Sequence, residues 1–255
     1  MNLINGWGVA ASLILVAVTI AVSVWRKLGL ERSVAIATVR AVVQLLAVGV
    51  VLVPVLTDDA PMFWAWIWVG LMIAIAVVVV RRRTGKLQHL RPGIVVALVA
   101  IAAPLAVSLA VVFGFGVLEL APFAIVPVSG ILLGNTLPAT VAGAVRLQDQ
   151  ITSERGQIEA MLALGFPPSE AIREQTRTSI RAALLPQIER TNVVGLIALP
   201  GAMTGMILAG VDPLEAVLTQ IVVMFLILGG VALTVTTVTL ALASKAFSED
   251  MRLLK

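Results

Sequence analysis

The fold class this sequence predicts is an all-α integral membrane protein of about seven transmembrane helices. Its N-terminus is expected outside, its C-terminus in the cytoplasm, and a helical cytoplasmic loop between spans five and six. Three observations predict this. Of the 255 residues 60% are hydrophobic, and the mean hydropathy is +1.06, whereas soluble domains are about half apolar at most. Charged residues are only 13% and gather into a few intervals, which leaves apolar runs long enough to cross a bilayer as helices of about 20 residues. Those intervals also sort by sign. Arg26, Lys27 and Arg32, then Arg81 to Arg91, Arg146 to Arg190, and Lys245 to Lys255 fall on one side, while Asp58, Asp59, Glu119, Asp212 and Glu215 fall on the other, which has no Lys or Arg. Basic loops stay in the cytoplasm, and an odd number of spans satisfies the alternation.

The first run, Trp7 to Trp25, is followed and not preceded by Arg26-Lys27. It lacks the basic leading region of a secretory signal and is expected to remain as an anchor. The second, Val34 to Leu56, carries Arg40 and Gln44 one helical turn apart on one face. A lipid-facing arginine near the bilayer centre costs about 2.5 kcal/mol or more. Either this face points into the protein or a wet cavity, or Arg40 snorkels to the nearby cytoplasmic edge. The third, Met62 to Val80, opens on Trp64, Trp66 and Trp68, placed as an interfacial aromatic belt. It leads into Arg81-Arg82-Arg83 and the lone His89, a loop expected to anchor charge and touch lipid headgroups.

The fourth span is Ile94 to Phe113. The fifth, Pro122 to Val145, contains Gly130 and Gly134, a G-x-x-x-G face that lets another helix approach closely. Beside it is Asn135, which near mid-membrane either cross-links helices or lines a cavity. In the sixth, Thr191 to Ala209, Pro200 and Gly201 predict a kink or break, and Gly201, Gly205 and Ala209 form a small-residue stripe. Met203, Thr204 and Met206 flank it. Thioethers bind soft metals, but with no Cys or His beside them flexible packing is their ordinary role. The seventh span is Leu214 to Ala243.

The long polar interval, Ile151 to Pro186, stands out from all this. Ile158, Met161 and Leu162 recur at helical spacing beside Glu154, Arg155, Gln157 and Glu159, which predicts one amphipathic helix with a narrow apolar face. Gly165 can stop that helix in a left-handed conformation, and Pro167 or Pro168 suits the first turn of the next. Two short helices joined at a Gly-Phe-Pro-Pro corner make a rigid knob; the alternative is a pair lying on the membrane surface. Arg173, Arg177 and Arg181 follow at four-residue intervals, partly neutralised by Glu170 and Glu174, as an interaction face or a solvated one.

Composition excludes other classes. With no cysteine there are no disulfides or thiolate metal sites. A charge of +4 and a pI near 10.3 are explained by topology without nucleic acid. No G-x-x-x-x-G-K-[ST] is present, so the chain has no phosphate-cradling loop of its own, and no tandem repeat or second soluble domain is visible. The whole of 1–255 is expected to be one transmembrane domain.

The interval Glu159-Ala160-Met-Leu-Ala-Leu164-Gly165-Phe166-Pro-Pro168 resembles the E-A-A…G loop of ABC-transporter permeases. Arg40-Ala-Val-Val-Gln44, Gly134-Asn135, Ser179 to Pro186, and above all Gly195 to Pro213 with Gln220, resemble the Fet-type ABC permease family, which includes bacterial iron-export permeases and plant aluminium-tolerance permeases. The similarity covers essentially the whole chain. Two departures stand out: the interval from Gly165 to Pro186 is longer than in importers, and Ala202 stands where some relatives have a second methionine.

The resemblance implies a permease subunit of the inner (plasma) membrane that pairs with itself and with a separate ATPase. No cofactor belongs to this chain, because ATP and Mg would be held by that partner. Membrane lipids are the remaining partner, and nucleic acid is not expected. Glu159, Ala160, Leu164, Gly165, Phe166, Pro168, Arg173 and Arg177 would couple to the ATPase. Arg40, Gln44, Asn135, Pro200, Gly201, Met203, Thr204, Met206 and Gln220 would line the path, and the five outer carboxylates would form its mouth. Iron or another metal ion is the implied cargo, with a nucleotide sugar or other small molecule as the alternative. An ATP-independent carrier is the remaining reading, but such carriers bury an acid or histidine near the midplane, which this sequence lacks.

Overall fold

The computed structural model describes residues 6–52, 61–84, 93–196, 198–248 and 252–254. It contains ten helices among these, α1 (Gly6–Trp25), α2 (Glu31–Leu52), α3 (Met62–Arg83), α4 (Ile94–Gly114), α5 (Pro122–Ser153), α6 (Arg155–Ala163), α7 (Pro168–Ala171), α8 (Arg173–Val193), α9 (Gly201–Leu208) and α10 (Pro213–Ser244). No strand occurs among the described residues, only two isolated bridges, Val194 with Ala198 and Phe247 with Leu253. Five helices, α2, α3, α4, α5 and α10, are long and apolar enough to cross a membrane, while α1 has a shorter apolar stretch at Ala11–Trp25.

Two compact units are present, Met1–Ala60 and Pro61–Lys255. In the first, α1 and α2 pair across a tight corner where Lys27 and Gly29 adopt positive φ. Ser23 closes it, donating to Glu31 Oε2 at 3.0 Å while its Oγ accepts from the Leu30 amide at 3.1 Å. Arg40 and Gln44 are exposed on α2 of this unit.

The second unit is organised around α5, which packs against α3, α4, α8 and α10. Its buried residues Ile125, Ser129, Leu132, Thr136, Gly143 and Leu147 recur at spacings of three, four and seven, the signature of one helix face. Cross-helix contacts give the directions. Gln148 Nε2 donates to the Thr84 carbonyl at 2.6 Å, and a Cβ on Gly130 would meet Met72 Cε at 3.6 Å, so α3 runs parallel to α5. Gly230 sits beside Leu132 and Gly143 beside Val235 and Thr239, so α10 is parallel too. By contrast α4 runs the other way, because Ser108 lies near Gly230 while the Ala100 carbonyl accepts from Thr237 Oγ1 at 3.1 Å. In α8, Ala183 meets Gly143 and Arg190 meets Asn135, so it too is antiparallel. These directions bring Arg81–Arg83, Arg146 and Lys245 to one end of the unit and Glu119, Asp212 and Glu215 to the other.

Two sequence expectations need correction here. The close approach expected at both Gly130 and Gly134 is seen only as an ordinary contact of Gly130 with Met72, and nothing among the described residues lies within 4 Å of a Cβ on Gly134. Gly134 falls off the buried face of α5, and the tight contacts are at Gly143 and Gly230, where a Cβ would stand 3.1–3.2 Å from neighbouring side chains. Adding bulk there overpacks a three-helix junction at a cost of about 1–3 kcal/mol. Gly143→Leu should therefore lower the unfolding midpoint of the detergent-purified chain by several degrees, and Gly70→Leu, on an exposed and open stretch of α3, should not.

The second correction concerns Thr191 to Ala209, which is not one spanning helix. The helix α8 passes through Pro186 and continues to Val193, and the described residues 194–196 and 198–200 that follow are not helical. There Gly195 takes φ +85° and its amide bonds the Ala198 carbonyl at 3.0 Å. A new helix, α9, then starts behind Pro200, whose φ of −63° and ψ of 138° place it as the N-cap. The break that Pro200-Gly201 predicted is real but begins earlier, at the left-handed Gly195. At eight residues, about 12 Å, α9 is far too short to cross a membrane alone.

Candidate functional site

The knob forms as its residues require. Helix α6 buries Ile158 completely and leaves Glu159 and Ala160 exposed. It ends at Gly165, whose φ is +87°. The Phe166 amide reaches back to the Met161 carbonyl at 3.1 Å and the Gly165 amide to the Leu162 carbonyl at 3.0 Å, which is the Schellman arrangement that a left-handed residue makes possible. Pro167 then caps α7, with Pro168 in its first turn, where a missing amide donor costs nothing. The result projects Leu164 and Phe166, 77% and 44% exposed, at the tip of the turn.

Hydrogen bonds fix this tip to the body of the unit. Arg155 donates to the Leu253 and Leu254 carbonyls, both at 3.2 Å, and pairs with Glu159 at 2.8 Å. Gln175 of α8 donates to Glu154 at 2.8 Å. An open cleft of about 770 Å³ lies beside the tip, lined by Glu159, Gly165, Phe166, Pro167, Arg252 and Leu253 among others. Arg173 and Arg177 are exposed along α8, and neither makes a direct ion pair with Glu170 or Glu174, the one ion pair among the described residues being Arg155–Glu159.

Thirteen residues into α5, about 20 Å from its start, Asn135 donates Nδ2 to the Ile131 carbonyl at 2.7 Å and accepts through Oδ1 from Arg190 Nη1 at 3.1 Å. The sequence leaves Asn135 open between a cross-link and a cavity; it makes the cross-link, with an arginine that sequence reasoning placed among the loop charges. Arg190 is exposed within the unit. If α5 spans the bilayer from Pro122, a guanidinium at that depth cannot face lipid without a large cost, and this side then meets water or protein.

The other expected path residues of this unit lie on α9 and α10. Met203 is 8% exposed, Met206 is half-buried, Thr204 is exposed and donates to the Pro200 carbonyl at 3.2 Å, and nothing lies within 4 Å of a Cβ on Gly201. Gln220 is buried in α10, its Oε1 without a partner. At the acidic end Asp212 serves as the N-cap of α10, accepting from the Leu214 and Glu215 amides at 2.9 and 3.4 Å, while Glu119 and Glu215 are exposed. Asp58 and Asp59 lie outside the described residues. Among the described residues, no three His, Asp or Glu side chains cluster as metal ligands.

Sequence reasoning also missed Arg155, Gln148 and Gly143. Each reads as an ordinary polar or small residue, because the partners that tie it to another segment stand from 40 to 99 positions away.

A family model described as an uncharacterised protein family, UPF0014, matches residues 7–247. Similar proteins include the rice UPF0014 membrane protein STAR2, 37% identical over 86% of this chain and 75% of that protein. The Escherichia coli probable iron export permease protein FetB is 33% identical over 91% of this chain and 88% of its own. The Arabidopsis thaliana protein ALUMINUM SENSITIVE 3 is 32% identical over 90% and 82%. No solved structure matches the chain.

Proposed function

Because the chain belongs to the UPF0014 family of membrane proteins, we propose that it is the membrane-spanning permease subunit of an ABC-type exporter driven by a separate ATPase. The observation that carries this reading is the continuity of α8. The helix begins beside the knob and runs 21 residues to Val193, so a push on the knob is delivered to Arg190 and Asn135 by a single helix. The Leu164–Phe166 tip offers the ATPase an apolar anchor, and in this reading ATP and Mg are held by that partner, in keeping with a sequence that has no phosphate-cradling loop. One knob per chain and two clefts per ATPase pair call for a homodimer.

Seven crossings follow if α8 and α9 together make the sixth. The basic end of the second unit then faces the cytoplasm of a plasma-membrane protein with an outside N-terminus.

For the cargo, iron or another metal ion is the first reading, supported by the name of the Escherichia coli relative and by the carboxylates Glu119 and Glu215 at the opposite end, which attract cations. Arg190 favours a second reading, an anionic cargo such as a nucleotide sugar, because a mid-membrane guanidinium repels free cations. ATPase activity of the reconstituted complex, titrated with divalent and ferric ions and with sugar nucleotides, separates the two. Stimulation by metal ions alone supports the first and by sugar nucleotides alone the second; stimulation by neither, in a complex that hydrolyses ATP, removes both.

A further inference from the structure

Arg177 and Arg181 stand one turn apart on α8, and neither has a carboxylate partner among the described residues. Both line an open groove of about 1210 Å³ between α8 and the C-terminal part of α10, floored by Ile180, Leu184, Ile188 and Leu240. The depth of this groove is reckoned along α5, taking Pro122 as the point where that helix enters the hydrocarbon core and the helix as upright. Gly143 lies 21 residues after Pro122, about 32 Å along the helix, which is the thickness of a hydrocarbon core. Ala183 packs against Gly143 and so marks the inner edge. Leu184 and Ile188 stand at and above that edge, Arg181 and Arg177 about 3 and 9 Å below it, within side-chain reach of a headgroup layer some 5–7 Å deep.

We propose that this groove holds an acidic phospholipid, with the phosphate on Arg181 and Arg177 and an acyl chain along Leu184 and Ile188. The order of chemistries decides the occupant. A ligand must be anionic below the edge and apolar above it, and the apolar half is reached only from inside the bilayer, where a soluble ATPase cannot go. The inference depends on the chain being a membrane protein and is independent of what it transports.

The test is lipid titration of the full chain in detergent, followed by native mass spectrometry, with phosphatidylglycerol and phosphatidylcholine as probes. Each basic residue at the membrane surface is worth about fivefold in binding, so Arg177→Gln/Arg181→Gln should weaken phosphatidylglycerol binding by about 25-fold and leave phosphatidylcholine unchanged. Arg177→Lys/Arg181→Lys should retain most of it, and where the double glutamine variant does not fold, each single one should lose about fivefold. A photo-crosslinking phenylalanine in place of Leu185 should form a lipid adduct in membranes containing the ATPase. Unchanged phosphatidylglycerol binding, an equal loss for both lipids, or an adduct with the ATPase, a second chain or the chain's own first unit would overturn the proposal.

Discussion

Replacing Gly165 with valine should reduce stimulation of the proposed ATPase partner at least tenfold while membrane insertion stays normal. At φ +87° a β-branched residue is a steric outlier, and left-handed backbone costs L-residues about 1–2 kcal/mol even without branching. The strain is purely conformational, because nothing lies within 4 Å of a Cβ at this position. Valine would pull the residue out of the left-handed region and break the two amide bonds from Gly165 and Phe166, so the exposed Leu164–Phe166 tip would point elsewhere. Glycine, asparagine, alanine and valine should therefore rank in that order, since asparagine tolerates the left-handed region best after glycine. Co-purification of the ATPase and its hydrolysis rate in reconstituted complexes measure this series. Full stimulation by the valine variant would remove the knob from the coupling path.

The Asn135–Arg190 pair should behave differently, with a small effect on stability and a large one on transport. Side-chain hydrogen bonds between membrane helices contribute about 0.6 kcal/mol on average and up to about 1.7. Asn135→Ala should therefore lower the unfolding midpoint by only a few degrees. Cargo-stimulated ATPase activity should fall about tenfold or more, because the arginine loses the acceptor that holds it against α5 at mid-membrane depth. The double variant Asn135→Ala/Arg190→Leu removes the unpaired cation and should recover the midpoint without recovering stimulation. Recovery of both in the double variant would mean that the pair only joins helices and has no part in the path.

Much of the architecture was legible in the residues because the bilayer imposes it. Length and hydropathy marked α3, α4, α5 and α10 to within a few residues at most of their boundaries, apart from the far end of α5. That helix continues to Ser153 because a polar sequence can extend a helix beyond the membrane as readily as an apolar one can cross it. The knob was legible for a related reason: a left-handed stop and a proline start are local requirements, written at Gly165, Pro167 and Pro168. The place of the sixth break was not. Pro200 and Gly201 drew attention, yet the helix ends at Val193, where Gly195 turns the backbone, and Pro200 opens α9.

What the sequence determined by itself was therefore everything set by transfer from water to lipid and by backbone chemistry within a turn: the helical class, the segregation of charge, and the shape of the corner at Gly165. Only the tertiary structure decided which glycines meet a neighbour, that Gln148 reaches Thr84, that Arg155 holds the C-terminal segment, and that Arg190 answers Asn135. Those choices depend on the rotation of each helix about its own axis and its depth against the next. Hydropathy is nearly silent on both, because in lipid an apolar side chain is equally at home on either side of a helix.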